Sequence, residues 1–147
     1  MLKFHNILVP TDFSEESRAA FDYAKKMANV DDTRIHFLHI IELTVYPINI
    51  GLSTAAMEEM KQKHYRDADT RLKEIADEFE KDGYSAEIAV VHGKSDDGIL
   101  KYIEDNNIDV VCMGTHGRSG FEHLMIGSTT EKIIRKAECP VLSVKKK

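Results

Sequence analysis

The sequence predicts an α/β protein, an open, mostly parallel five-stranded sheet in three layers with helices on both faces. Three observations carry that expectation. Short apolar runs rich in β-branched residues recur along the chain. Segments of helical spacing separate them. Each alternation reads as a βαβ unit, whose right-handed crossover places helices on both sides of a parallel sheet. The 147 residues are expected to form a single domain, 1–147, because folding a chain of that length buries about 70% of its unfolded surface.

The first strand is expected at about His5 to Val9. Asp12 and Ser14 then offer N-caps for a helix whose apolar stripe is Ala20, Tyr23, Ala24, Met27 and Ala28. After the Asp31-Asp32 turn comes a second strand, Arg34 to Ile41. The stretch from Glu42 to Ser53 contains Pro47 and Gly51 and has no period, so it reads as a long loop. A long helix follows, with Met57, Met60, His64, Ala68, Leu72, Ile75, Ala76 and Phe79 on its buried face and Gly83 as its stop. The third strand is about Ala86 to Val91, and a short helix runs from Ser95 to Asn106. The fourth, Asp109 to Met113, is almost continuously apolar, as a central parallel strand covered on both faces should be. A helix from Ser128 to Ala137 and a last strand from Pro140 to Val144 complete the pattern. Ligands of such sheets bind beyond the carboxyl ends of the strands where the strand order reverses, here between the first and fourth strands.

The composition narrows the class. With 42% hydrophobic and 31% charged residues, the chain is ordinary globular material. The net charge of −5 argues against a nucleic-acid coat. Two cysteines, Cys112 and Cys139, make no disulfide scaffold and suggest a reducing cytosol. The apolar run Ile7 to Val9 is too short for a signal peptide, and no stretch approaches the roughly 20 apolar residues of a membrane helix. The expectation is a cytoplasmic protein with no nucleic-acid or membrane partner.

Chemistry concentrates after the fourth strand, in Gly114-Thr115-His116-Gly117-Arg118-Ser119-Gly120 and Gly127-Ser128-Thr129-Thr130-Glu131. Glycines permit positive φ and close approach, so successive N–H groups can form an anion nest. Ser128 and Glu131 make a capping-box pattern at a helix start that itself attracts anions. Arg118 adds a positive charge. Together these features favour a phosphate-sized anion over a plain turn. Pro10-Thr11-Asp12 should reach the same crevice, where Asp12 either caps the first helix or accepts hydrogen bonds from a base or ribose.

Other signals are weaker. Gly93-Lys94-Ser95 mimics the end of a P-loop, but Ile88 stands where that motif needs a glycine. Ser95 is therefore read as an N-cap and Lys94 as a surface charge. None of the seven histidines has zinc-ligand spacing, and His36 and His39 fall on opposite faces of a strand. His116 is the exception: it lies in the phosphate loop and could donate to a phosphate or act as an acid or base, against the plainer role of a partly exposed loop residue, which outweighs catalysis. Cys112 reads as a core residue and Cys139 as a strand-start residue, while the terminal lysines read as a solubilising tail.

The pattern Gly114-x2-Gly117-x9-Gly127-Ser128 resembles the ATP-binding signature of the universal stress protein family. Ile7 to Ser14, His39-Ile40-Ile41 and Cys139-Pro140-Val141-Leu142 are similar to that family's first, second and last strands. The resemblance implies a Rossmann-like, adenine-nucleotide-binding sheet in the order 3-2-1-4-5. It also implies a homodimer through the last strand, Pro140, Val141, Leu142, Ser143 and Val144. Carried over, Pro10, Thr11, Asp12 and Ile40 would surround the adenosine of ATP. Gly114, Thr115, His116, Gly117 and Arg118 would wrap ribose and phosphates, and Gly127, Ser128, Thr129 and Thr130 would close over them. Ser119 and Gly120 lie in the same loop. Mg²⁺ or Mn²⁺ would bridge the phosphates, and no catalytic residue or protein metal ligand is assigned.

Three functions follow from these readings. The first is a nucleotide-dependent regulatory dimer of the stress response. The second is a slow ATP-hydrolysing enzyme, for which Asp12, His116 and His123 are the candidate groups. The third is a nucleotide-independent interaction module using the last strand and the Glu42 to Ser53 loop. The charge divides along the chain in a way that bears on the first. Residues 114–147 hold seven basic and three acidic side chains, a balance of +4, which leaves −9 for residues 1–113. A net-acidic chain is thus compatible with one small triphosphate where the sign changes.

Overall fold

The computed structural model describes residues 2–42, 53–116 and 126–147. Gly117, Arg118, Ser119, Gly120, His123 and all of the Glu42 to Ser53 loop except its two ends lie outside the described residues. The strands are β1 (Asn6–Pro10), β2 (Arg34–Ile41), β3 (Ser85–His92), β4 (Val110–Gly114) and β5 (Val141–Val144). The helices are α1 (Glu15–Arg18), α2 (Phe21–Met27), α3 (Thr54–Lys81), α4 (Ser95–Asp105) and α5 (Ser128–Lys136).

The strands form one sheet in the order β3-β2-β1-β4-β5, parallel at each junction, with Ile7 opposite Ile35 on one side and Val110 on the other. This bears out the expected order and the adjacency of the first and fourth strands. Alternate residues of β1 feed two cores. Ile7 and Val9 join Phe21 and Ala24 of α2 and Leu72, Ile75 and Phe79 of α3. Leu8 points the other way, to Ile99 and Ile103 of α4 and Ile133 of α5. The layers are therefore α2/α3, sheet, α4/α5.

Several local expectations are corrected. The first helix is two, because Ser17 Oγ bonds to Thr11 Oγ1 and donates to Ser14 O, and Ala20 N–H turns back to Ser17 O. That break brings Phe21 into the core and leaves Tyr23, expected inside, exposed. Ser14 is the N-cap of α1, accepting from Ser17 N–H at 3.1 Å. Ser95 does not cap α4; it is the first helical residue and donates its hydroxyl to Glu42, while Lys94, read as a plain surface charge, occupies the N-cap.

The stop at Gly83 is as expected. Its φ of +90° lets its N–H reach Glu80 O while Tyr84 N–H reaches Phe79 O, and the Tyr84 and Phe79 rings meet. Cys112 is buried, its thiol donates to Ala20 O, and desolvation pushes its pKa up to about 12. No helix among the described residues is long and apolar enough to cross a membrane.

Candidate functional site

The carboxyl ends of β1, β2 and β4 open onto a cavity of about 610 Å³, closed laterally by α3 on one side and the starts of α4 and α5 on the other. That volume falls in the range of small-molecule sites, about 300–1,000 Å³.

Its first wall is the turn after β1. Thr11 is buried and tied on all sides: its N–H donates to Leu38 O, its carbonyl accepts from His39 Nδ1 at 2.8 Å, and its hydroxyl meets Ser17 Oγ. Asp12 Oδ1 accepts from both the N–H and the hydroxyl of Ser14, so the side chain that caps α1 also orients this carboxylate. Asp12 itself is not the cap. Phe13 has a φ of +66°, a left-handed conformation costing an aromatic residue about 1–2 kcal/mol. Its N–H donates to Thr11 Oγ1.

The opposite wall is the end of β4 and the start of α5. Thr115 N–H donates to Val144 O, and Gly127 N–H donates to Thr115 O at 2.8 Å. Thr130 Oγ1, buried, donates to Gly114 O. These bonds fix the first turn of α5 beside the end of the sheet. The expected capping box is absent. Gly127 is the N-cap and supplies no side chain, Ser128 is the first helical residue, and Glu131 pairs with Arg135 instead. The N–H groups of Ser128, Thr129 and Thr130 thus have no side-chain cap and retain the helix-end potential for an anion.

Neither Gly114 nor Gly127 takes a positive φ. Gly114 is required by packing: a Cβ there would stand 2.5 Å from Glu16 O, so only glycine lets α1 close over β4.

Pro10, Thr11, Asp12, Ile40, Gly114, His116 and Gly127 through Thr130 all line the cavity. Thr115 does not; it is the buried residue that positions the others. His116 Nδ1 lies 3.0 Å from Thr115 Oγ1, and its Nε2 is the one enclosed side-chain nitrogen or oxygen without a hydrogen-bond partner among the described residues. Such an orphan calls for an explanation, commonly a bound water, ion or ligand.

Sequence reasoning missed the α3 wall. His64, Asp67 and Arg71 line the cavity, as do Phe13, His39 and Glu42. The signal was the helical face 64, 67, 68, 71, of which only His64 and Ala68 were read, and as core. Among the described residues no group of three or more His, Cys, Asp or Glu side chains could hold a metal ion.

Residues 3–145 match the universal stress protein family. A universal stress protein of Methanocaldococcus jannaschii is 30% identical over 98% of this chain and 96% of its own length. A solved structure of a protein of the same designation superposes with a TM-score of 0.88 at 31% identity, covering 99% of both chains. A universal stress protein family protein of Arabidopsis thaliana, solved with AMP bound, has a TM-score of 0.67 at 18% identity over 97% of this chain and 92% of that one. Another universal stress protein, in complex with cAMP, has a TM-score of 0.70 at 21% identity over 97% and 98%.

Proposed function

Because the chain belongs to the universal stress protein family, we propose that it binds ATP and acts as a nucleotide-dependent regulatory dimer of the stress response, in the cytoplasm, as one domain. The observation that carries this reading is a cavity that joins the oriented Asp12 carboxylate to an uncapped helix start. One end suits the donors of a base or ribose, and the other suits a phosphate. The AMP and cAMP complexes of the two fold relatives support an adenine nucleotide as the ligand class.

In this reading Pro10, Thr11, Asp12 and Ile40 enclose the adenosine. Ser128, Thr129 and Thr130 offer backbone N–H groups to the phosphates. The orphaned His116 Nε2 fits a phosphate oxygen as its missing partner. Gly117, Arg118, Ser119 and Gly120 enter on the sequence pattern alone. With no cluster of protein ligands among the described residues, Mg²⁺ or Mn²⁺ would be carried mainly by the phosphates themselves. The dimer would form through Pro140 to Val144, supported by the place of β5 at the edge of the sheet.

The test is mass spectrometry of small molecules released from the freshly purified, denatured protein, followed by calorimetric titration of the emptied protein. Released ATP, or heat on adding it, is expected. Neither release nor heat with ATP, AMP or adenosine overturns the reading. Sedimentation of the same sample checks the dimer, which a monomer at all concentrations contradicts.

A further inference from the structure

The α3 wall carries a cation that the nucleotide reading leaves unused. The Arg71 guanidinium carbon lies 4.2 Å from the centroid of the Phe13 ring. The Phe13 ring also meets His39, at 4.5 Å between centroids and 33° between planes. The three side chains come from α3, the β1–α1 turn and β2, and all three line the cavity. The left-handed backbone of Phe13 belongs to the same stack. Strain of this kind persists only where surrounding structure holds it, and it concentrates at binding sites.

Arg71 differs from most other arginines of the described chain in its lack of a counter-charge. Arg18 pairs with Glu78, Arg34 with Glu87 and Arg135 with Glu131. Arg71 makes no salt bridge among the described residues, although Asp67 lies one helical turn away on the same wall. A guanidinium held over a ring by cation–π attraction still carries N–H donors that can meet a planar or tetrahedral anion. Its position matters as much as its charge. Arg71 belongs to the α2/α3 layer, whereas the uncapped N–H groups of α5 belong to the opposite layer. The cavity therefore has hydrogen-bond donors suited to anions at two separated ends.

We infer that Arg71 is a specificity-determining residue that binds a second phosphoryl group, remote from the one held at the start of α5. The favoured ligand class is a nucleotide with phosphates at two separated positions, and this rests on the adenine-nucleotide reading above. Asp12, Glu42 and Asp67 also line the cavity. Their negative charge penalises any anion that lacks a matching cation, so Arg71 sharpens selection as well as adding affinity.

Titration calorimetry on the full chain, at one fixed salt concentration, tests this with adenosine 3′,5′-bisphosphate and AMP. Wild-type protein is expected to prefer the bisphosphate about tenfold, the scale of one charge-assisted contact. Arg71→Gln should abolish that preference and change AMP affinity by less than about twofold, while Arg71→Lys, which keeps charge without the planar fork, should retain part of the preference. Thermal unfolding of each variant reports folding separately. Equal wild-type affinity for the two ligands overturns the proposal, as does a preference that survives Arg71→Gln. An equal loss for both ligands in Arg71→Gln also overturns it, because that marks a packing role. A wild-type protein that binds AMP without preferring the bisphosphate removes only the role of Arg71; one that binds neither of them, nor ATP added as a control, removes the nucleotide reading with it.

Discussion

The two ends of the sheet treat their polar groups in opposite ways. At the amino end of the strands the groups satisfy one another. The Asp109 carboxylate accepts from His5 and Asn6 N–H at 2.6 and 2.7 Å, and Thr33 Oγ1 donates to Phe4 O. Buried His36 bridges Tyr102 and Asn6, with Nδ1 accepting from the phenol and Nε2–H donating to the amide oxygen. At the carboxyl end the bonds are used to place groups around a gap. Thr11, Ser14 and Thr115 hold Asp12, His39, Gly127 and His116 in position, and one imidazole nitrogen has no partner. The lesson is that the same number of strand ends can serve closure at one edge and frame an open cavity at the other. What distinguishes them is whether the last acceptor or donor is supplied by the chain.

That contrast can be broken from either side. The largest effect is expected from Gly114→Val at the cavity end. Its side chain must displace the α1 backbone, at a cost of about 3 kcal/mol, visible as a lowered Tm, with loss of nucleotide binding. Next comes Asp109→Ala at the closed end. It strips two backbone N–H groups of their acceptor and should cost about 2 kcal/mol in urea unfolding while leaving nucleotide affinity unchanged. A drop in affinity there would show that the two ends are coupled. Ser14→Ala should cost about 1 kcal/mol as a lost cap, and should also weaken nucleotide binding by removing one of the two bonds from Ser14 to Asp12, the hydroxyl one, while the backbone N–H bond stays.

The smallest effect is in pH. Burial holds the His36 pKa below the usual histidine value, only partly opposed by Glu87. The folded state thus favours neutral His36, and its contribution is fully present above about pH 6.5, the unfolded value. It is lost as pH falls through the lower folded value, because the unfolded chain binds the proton first. Denaturant titrations across this window should show stability falling with acidification in the wild type and a flatter profile in His36→Phe.

The closed end and the sheet were largely legible in the sequence. The eight-residue run Arg34–Ile41 is a strand to the residue, because a short segment rich in β-branched and aromatic residues, following the Asp31-Asp32 turn, favours a strand over a helix. The strand order came from the family resemblance, and the structure agrees. The cavity end was legible in outline and misjudged in detail. The Ser128/Glu131 pattern suggested a cap because spacing alone cannot show that Glu131 pairs with Arg135 and that Gly127 is the cap residue. Gly114 was read for close approach to a ligand, and its missing side chain also makes room for Glu16 O, a neighbour 98 positions earlier in the chain. Arg71 passed unnoticed because only tertiary contact sets it on Phe13. Local pattern encodes elements; which face of an element meets a cavity is decided by partners distant in sequence.

Backbone amide NMR during titration with ATP tests the central claim most directly, because it reads both ends of the sheet at once. Thr11, Asp12, Ile40, Gly114, Thr115 and the amides from Gly127 to Thr130 should shift with a common saturation curve, while His5, Asn6, His36 and Asp109 stay in place. Saturable shifts confined to the second group, or no shift in the first, would contradict nucleotide binding at the carboxyl end.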